Sequence, residues 1–201
     1  MAAKRRKSWS LEDEARPFYE MMGMCIASWA DVDEELFSIF HRCMGAPEPQ
    51  CAIAYFKTPS LEARRTLTEE VVLSVLPKKK PGQHDHASVR AWNAAVEDFQ
   101  DLLRTRGKIA HHKMRLVMEG GPRGRKTWFQ LYMNYSEQQC GRNASAILKD
   151  ADLQHHLDST TALERRLYAF RRDVLPMHVG EPPDKLHEPE TDAQRSRHRS
   201  K

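Results

Sequence analysis

The chain reads as all-α in the main, a five-helix bundle with a small β-hairpin inserted before the last helix. Three observations carry that reading. Apolar residues recur at steps of three and four over long stretches, proline and glycine stand where those stretches stop, and a single interval near residues 114–135 switches to β-forming residues around a glycine-rich turn.

The first helix is the clearest. Phe18, Met22, Cys25, Trp29, Val32, Leu36, Ile39 and Cys43 alternate steps of three and four until Gly45 and Pro47 interrupt them, which lays one apolar stripe along a helix that must pack against others. Arg16-Pro17 offers a start, because proline is tolerated in a first helical turn. Met21, Met22 and Met24 read as adaptable core filler. A short second helix spans Gln50 to Lys57. Thr58 then serves as N-cap with Pro59 at the first helical position, and Leu61, Leu67, Val71, Val72, Val75 and Leu76 carry a third helix to Pro77. Lys78 to Gly82 reads as a solvated loop. A fourth helix starts near His86 to Ser88, buries Val89, Trp92, Val96, Phe99 and Leu103, and ends between Gly107 and His112.

Met114 to Glu119 and Thr127 to Tyr135 flank Gly120-Gly121-Pro122-Arg123-Gly124, the composition of a hairpin. Cys140 to Leu148 reads as a loop. Asp150 can cap a last helix, whose Leu153, Leu157, Leu163, Leu167, Phe170 and Val174 run to Pro176. Residues 1–16 are expected to form a disordered basic head, 17–176 a single helical domain and 177–201 a disordered tail too poor in apolar residues to repay the entropy of ordering.

A chain of 201 residues can bury a real core as one domain. Cys25, Cys43, Cys51 and Cys140 are widely spaced and form no C-x-x-C pair, as in a reducing, cytoplasmic compartment. Glu12, Asp13 and Glu14 fall where a signal peptide needs an apolar run, and the most apolar span, Met21 to Ala30, is too short for a bilayer, so no membrane partner is expected. The net charge of +4 is matched by Lys4, Arg5, Arg6 and Lys7 alone. Elsewhere position matters more than balance. Arg104, Arg106, Lys108, Lys113, Arg115, Arg123, Arg125 and Lys126 crowd one stretch against the single acid Glu119, an electrostatic footprint for an anionic partner.

That stretch breaks a local rule. The stripe that passes through Phe99 and Leu103 next reaches Arg106, so a guanidinium stands where a leucine belongs. A buried charge must meet a carboxylate or line a wet cleft, and such exceptions tend to mark sites. Arg106 with His111 suits a phosphodiester: the arginine fork takes the phosphate and the added charge of the transition state, while the imidazole moves a proton near neutral pH. Neither metal nor other cofactor is required. An ideal helix turns about 140° over five residues, so the two side chains share a face only if the helix unwinds at Gly107. The competing structural reading gives Arg106 a salt bridge to the acidic turn of the first helix, with Asp33 as partner, and leaves His111 to cap a helix end. His84-Asp85-His86 and His155-His156 lack a partner set at zinc spacing, and no glycine-rich phosphate loop or nucleophile motif is visible. Trp128, Phe129, Tyr132 and Tyr135 could stack on single-stranded RNA or simply pack a small sheet.

Arg106-Gly107-Lys108-Ile109-Ala110-His111 resembles the R-x4-6-H signature of the HEPN superfamily. Trp29-Ala30-Asp31-Val32-Asp33-Glu34-Glu35-Leu36 is similar to the first-helix pattern of its uncharacterised bacterial branches. The resemblance spans most of residues 18–175. It implies a bundle that forms a homodimer, sets two motifs together at the interface and, in active members, cuts RNA without metal, as in toxin–antitoxin or phage-defence systems with an antitoxin-type partner protein. Carried onto this chain, it makes Arg106 and His111 the catalytic pair, with Arg104, Lys108, His112, Lys113 and Arg115 in support. Arg104 also satisfies the spacing. Gly107 stands where the family carries a polar residue, which favours the alternative of a non-catalytic module that binds RNA, a nucleotide or a protein.

Overall fold

The computed structural model describes residues 11–76, 78–80, 83–84, 86–111, 113–119, 126–132 and 148–175, with backbone alone for 11–14, 86 and the strands. This part of the chain is mainly helical, and the expected head before residue 11 and tail after 176 lie outside it.

Helix α1 runs Leu11–Met44. It begins before Arg16-Pro17, and Pro17 sits inside it, although proline there removes an N–H and crowds the preceding turn. The expected start is therefore corrected by about five residues. What holds the extra turns is burial: Ala15 and Phe18, on either side of the proline, are 6% and 3% exposed and extend the stripe of Cys25, Trp29, Val32, Leu36, Ile39 and Cys43. The far end stops at Gly45, whose φ of 59° is the left-handed conformation that glycine adopts freely, and whose N–H donates to the His41 carbonyl at 3.1 Å.

Helix α2 is Glu48–Phe56 and α3 is Leu61–Val75. The N-cap of α3 is Ser60, not Thr58. Ser60 has the extended backbone of a cap and its hydroxyl accepts from the Ala63 N–H at 3.1 Å, whereas the Thr58 hydroxyl donates back to the Ala54 carbonyl of α2 at 3.3 Å. Where a solvated loop is expected, strands β1 (Lys78–Lys80) and β2 (Gln83–His84) pair antiparallel, Lys78 with His84 and Lys80 with Gln83.

The expected fourth helix is two. Helix α4 covers His86–Ala95 and α5 covers Phe99–His111, separated by a turn in which Asp98 takes a φ of 64°. Aspartate is among the few residues that tolerate this conformation. The break falls where the chain passes between two compact units, one of Met1–Glu34 with Val96–Glu164 and the other of Glu35–Ala95 with Arg165–Lys201. Trp92 is buried in the second unit and Phe99 in the first, so the two halves of the expected stripe serve separate cores.

Strands β3 (Lys113–Glu119) and β4 (Lys126–Tyr132) pair antiparallel in unbroken register from Lys113 with Tyr132 to Glu119 with Lys126. Helix α6 is Asp150–Asp173. Its cap is again displaced from expectation: the Asp152 carboxylate accepts the Lys149 N–H at 2.8 Å, so the acid lies inside the first turn and reaches back, as in the second half of a capping box.

In the first unit, Ala15, Phe18 and Cys25 of α1 meet Ile109 of α5 and Leu148, Leu153 and Leu157 around the start of α6, with Met21, Met22 and Met24 filling against them. Trp29 stands edge-on to Phe99, ring centres 5.5 Å apart. In the second, Trp92 packs on Phe170 at 5.2 Å and donates its indole N–H to Glu69 at 3.4 Å. There too, Phe37, Phe40, Tyr55 and Phe56 form an aromatic cluster at the α1–α2 corner, with Arg64 over the last two rings.

Candidate functional site

Phe99, Leu102 and Ile109 are the buried positions of α5. Arg106 lies four residues after Leu102 and three before Ile109, on the same stripe, so the structure keeps a guanidinium at an inward position. Arg106 is half-buried, and its Nε, fully shielded from solvent, meets no acceptor among the described residues. An unsatisfied buried donor of this kind costs roughly 1–3 kcal/mol.

The partner expected for it is not the one the acidic turn uses for its buried contact. Of Asp33, Glu34 and Glu35, the last is buried, and it is held by Arg171 of α6 rather than by Arg106. Asp33 is half-buried and engaged in contacts of its own.

Helix α5 continues through Gly107 to His111 without unwinding. A Cβ at Gly107 would meet nothing within 4 Å, so neither close packing nor an unusual backbone requires glycine there. His111 is exposed at the last helical residue, and ideal geometry places it about 140° around the helix from Arg106. One copy of the chain therefore does not bring the two side chains onto a shared face. Arg104 is exposed and paired one turn back with Asp101, an ion pair about three-quarters open to solvent on each side and so strongly screened. Lys108 is half-buried. Lys113 and Arg115 are described only as backbone of β3, opposite Tyr132 and Gln130; the side chains of these two residues, all of His112, and the aromatic side chains of β4 lie outside the described residues.

A concavity of the first unit lies elsewhere. A cleft of about 410 Å³ is lined by Asp98, Asp101, Leu102 and Thr105 on one side and by Asp152, His155, His156 and Ser159 on the other, with Leu148 at its end. Both sets follow the spacing i, i+3, i+4, i+7, one face of α5 with its preceding residue and one face of α6. Sequence reasoning met His155-His156 only as a metal-ligand pair. Among the described residues no group of three His, Cys, Asp or Glu side chains is placed to hold a metal ion.

His156 is 2% exposed and held neutral, its pKa lowered to about 4 by burial and by the nearby His155. Its Nε2 accepts the Trp29 indole N–H at 3.3 Å. Because an indole only donates, the imidazole proton must sit on Nδ1, and that buried Nδ1 meets no acceptor among the described residues. The signal legible beforehand was the matching i, i+4 pattern of Asp98 with Leu102 and of Asp152 with His156. That α5 and α6 would face each other was not legible.

Two buried thiols, Cys25 and Cys43, are quiescent. Burial pushes Cys25 up to about 11 and Cys43 up to about 12, and Cys25 donates to the Leu153 carbonyl at 3.3 Å. No described helix is long and apolar enough to cross a membrane.

Comparison with known proteins returns nothing: no family model, no curated protein and no solved structure matches this chain.

Proposed function

We propose that the chain is a HEPN-like bundle, with the β3–β4 hairpin before its last helix, that acts as a metal-independent endoribonuclease whose site is completed between two copies. The observation that carries this reading is Arg106, a guanidinium on the inward stripe of α5 with a buried, unsatisfied Nε. A phosphate is an acceptor suited to that fork. The roughly 140° between Arg106 and His111 on an unbroken helix then acts as a constraint: the imidazole serving one arginine comes from the second protomer. In this reading His111 moves a proton to or from a ribose hydroxyl, Arg106 holds the phosphate and its transition-state charge, and Arg104, Lys108, His112, Lys113 and Arg115 raise the local RNA concentration. The product carries a cyclic phosphate.

The test is complementation. Purified protein cuts RNA in EDTA, Arg106→Ala and His111→Ala homodimers each do not, and mixing the two variants restores part of the activity, because a mixed dimer holds one intact composite site. A mixture as inactive as its parts overturns the shared site, and cleavage that requires added metal overturns the chemistry.

Gly107 favours a second reading, a non-catalytic module in which the same residues bind a nucleotide, RNA or an antitoxin-type protein. It predicts a rise in melting temperature with nucleotides or short RNAs and no cleavage by any preparation.

A further inference from the structure

The β3–β4 register sorts the hairpin into two unlike faces. Alternate residues of a strand belong to opposite faces of the sheet, and residues paired across an antiparallel ladder share a face. The pairs Met114–Leu131, Leu116–Phe129 and Met118–Thr127 make one face, none of them charged. The pairs Lys113–Tyr132, Arg115–Gln130, Val117–Trp128 and Glu119–Lys126 make the other. A slip of one residue in the pairing would have mixed the two sets.

A two-stranded sheet is marginal by itself and has to cover its apolar face, while an antiparallel sheet commonly gives the opposite face to water. The aromatic residues of β4 divide accordingly. Phe129 belongs with the methionines and leucines that a core takes up, whereas Trp128 and Tyr132 share the face of Lys113 and Arg115. Rings that served only to pack the sheet would be expected on the apolar face. Glu119 and Lys126 stand opposite each other at the far end and offset each other's charge. The excess positive charge is therefore that of Lys113 and Arg115, at the end that follows α5, whose last turn carries Lys108 and His111.

Cations that track a phosphate backbone, set beside aromatic rings that take bases, are the two parts of a single-strand site. We infer that this face of the hairpin binds unpaired, splayed bases of single-stranded RNA, with bases on Trp128 and Tyr132 and backbone phosphates on Lys113 and Arg115. Trp128 and Tyr132 are four residues apart on β4, about 14 Å of strand, against about 3.4 Å between neighbours in a stacked helix, so a duplex cannot serve both. Gln130, between them on the same face, brings an amide that can donate to and accept from a base edge. The choice of RNA rests on the function proposed above, but the stacking does not require that the strand be cut.

The probe is a short fluorescein-labelled oligoadenylate with 2′-O-methyl riboses, titrated into the full-length protein and followed by anisotropy. Its blocked 2′ oxygens cannot attack the phosphate, so binding is read whether or not the chain is a nuclease. Saturable binding that weakens as salt rises is expected. Trp128→Leu and Tyr132→Leu are each expected to lower affinity about tenfold with melting temperature and salt slope unchanged, and Trp128→Phe, which keeps a ring, to retain most of it. Arg115→Gln should instead flatten the slope of log affinity on log salt by about 0.7, the share of one phosphate contact. Absence of saturable binding, or equal affinity in Trp128→Leu, would overturn the site. Collapse of the fold in Trp128→Leu would do the same, by placing that residue in the core. Equally tight binding of an RNA duplex, or displacement of the probe by polyglutamate at equal charge, would replace base stacking with a general attraction for acidic partners.

Discussion

The Arg171 guanidinium on α6 grips both carboxylate oxygens of Glu35 on α1, Nε to Oε2 at 3.0 Å and Nη2 to Oε1 at 3.4 Å, and both side chains are less than a tenth exposed. This pair ties the acidic turn of α1 to α6 in the interior. Arg171 also stacks over Tyr168, 5.2 Å from its ring centre. The desolvation cost of the pair is largely offset only while both partners are present.

Removing one partner should therefore hurt far more than replacing both. Arg171→Met or Glu35→Gln alone is expected to cost about 3–5 kcal/mol in urea unfolding, whereas Glu35→Leu combined with Arg171→Met should recover most of that loss. Additive single costs in the double variant would mean that the two side chains do not act as a pair.

Arg106 makes the opposite forecast. Because its Nε is buried without an acceptor among the described residues, Arg106→Leu is expected to raise stability by roughly 1–2 kcal/mol while abolishing any RNA cleavage or binding. A residue that costs stability and confers activity is the signature of a site. A stability loss on Arg106→Leu would show instead that the guanidinium is satisfied and structural.

Gly107→Ala should stabilise by about 0.5–1 kcal/mol, since the residue is helical and an added Cβ meets open space. Destabilisation measured by thermal unfolding would mean that the helix bends at this point in solution.

Acid should act through His156. Its folded pKa, about 4, lies below the ordinary value of 6.5, so the unfolded chain takes up the proton first. Stability from this group is complete above pH 6.5 and falls as pH drops from there toward 4, by on the order of 3 kcal/mol in all. An NMR titration of the His156 ring is expected to show no protonation at pH 6 in the folded protein. A midpoint near 6.5 would place the ring in water rather than against Trp29.

The cap of α3 offers a local check. Ser60→Ala should cost about 1 kcal/mol and Thr58→Ala well under half of that, because only the Ser60 hydroxyl satisfies a helix N–H. The reverse order would restore Thr58 as the cap.

The helices were legible in the residues alone wherever their cause is local. A three–four apolar spacing makes α1, α3 and α6 whatever surrounds them, and Gly45 and Pro77 punctuate such runs through backbone freedom and a missing N–H. The inward place of Arg106 was legible for the same reason. Partnership was not. Asp33, Glu34 and Glu35 carry the same charge side by side, and that Glu35 is the one buried against Arg171, 136 residues away, could not be read from the residues alone. The break of α5 from α4 at Asp98 answers to the separate cores that bury Trp92 and Phe99, and the proton on His156 answers to Trp29, 127 residues distant. Period and punctuation are properties of neighbours along the chain, whereas charge pairing, tautomer and cleft shape are properties of neighbours in space, and only packing brings those together.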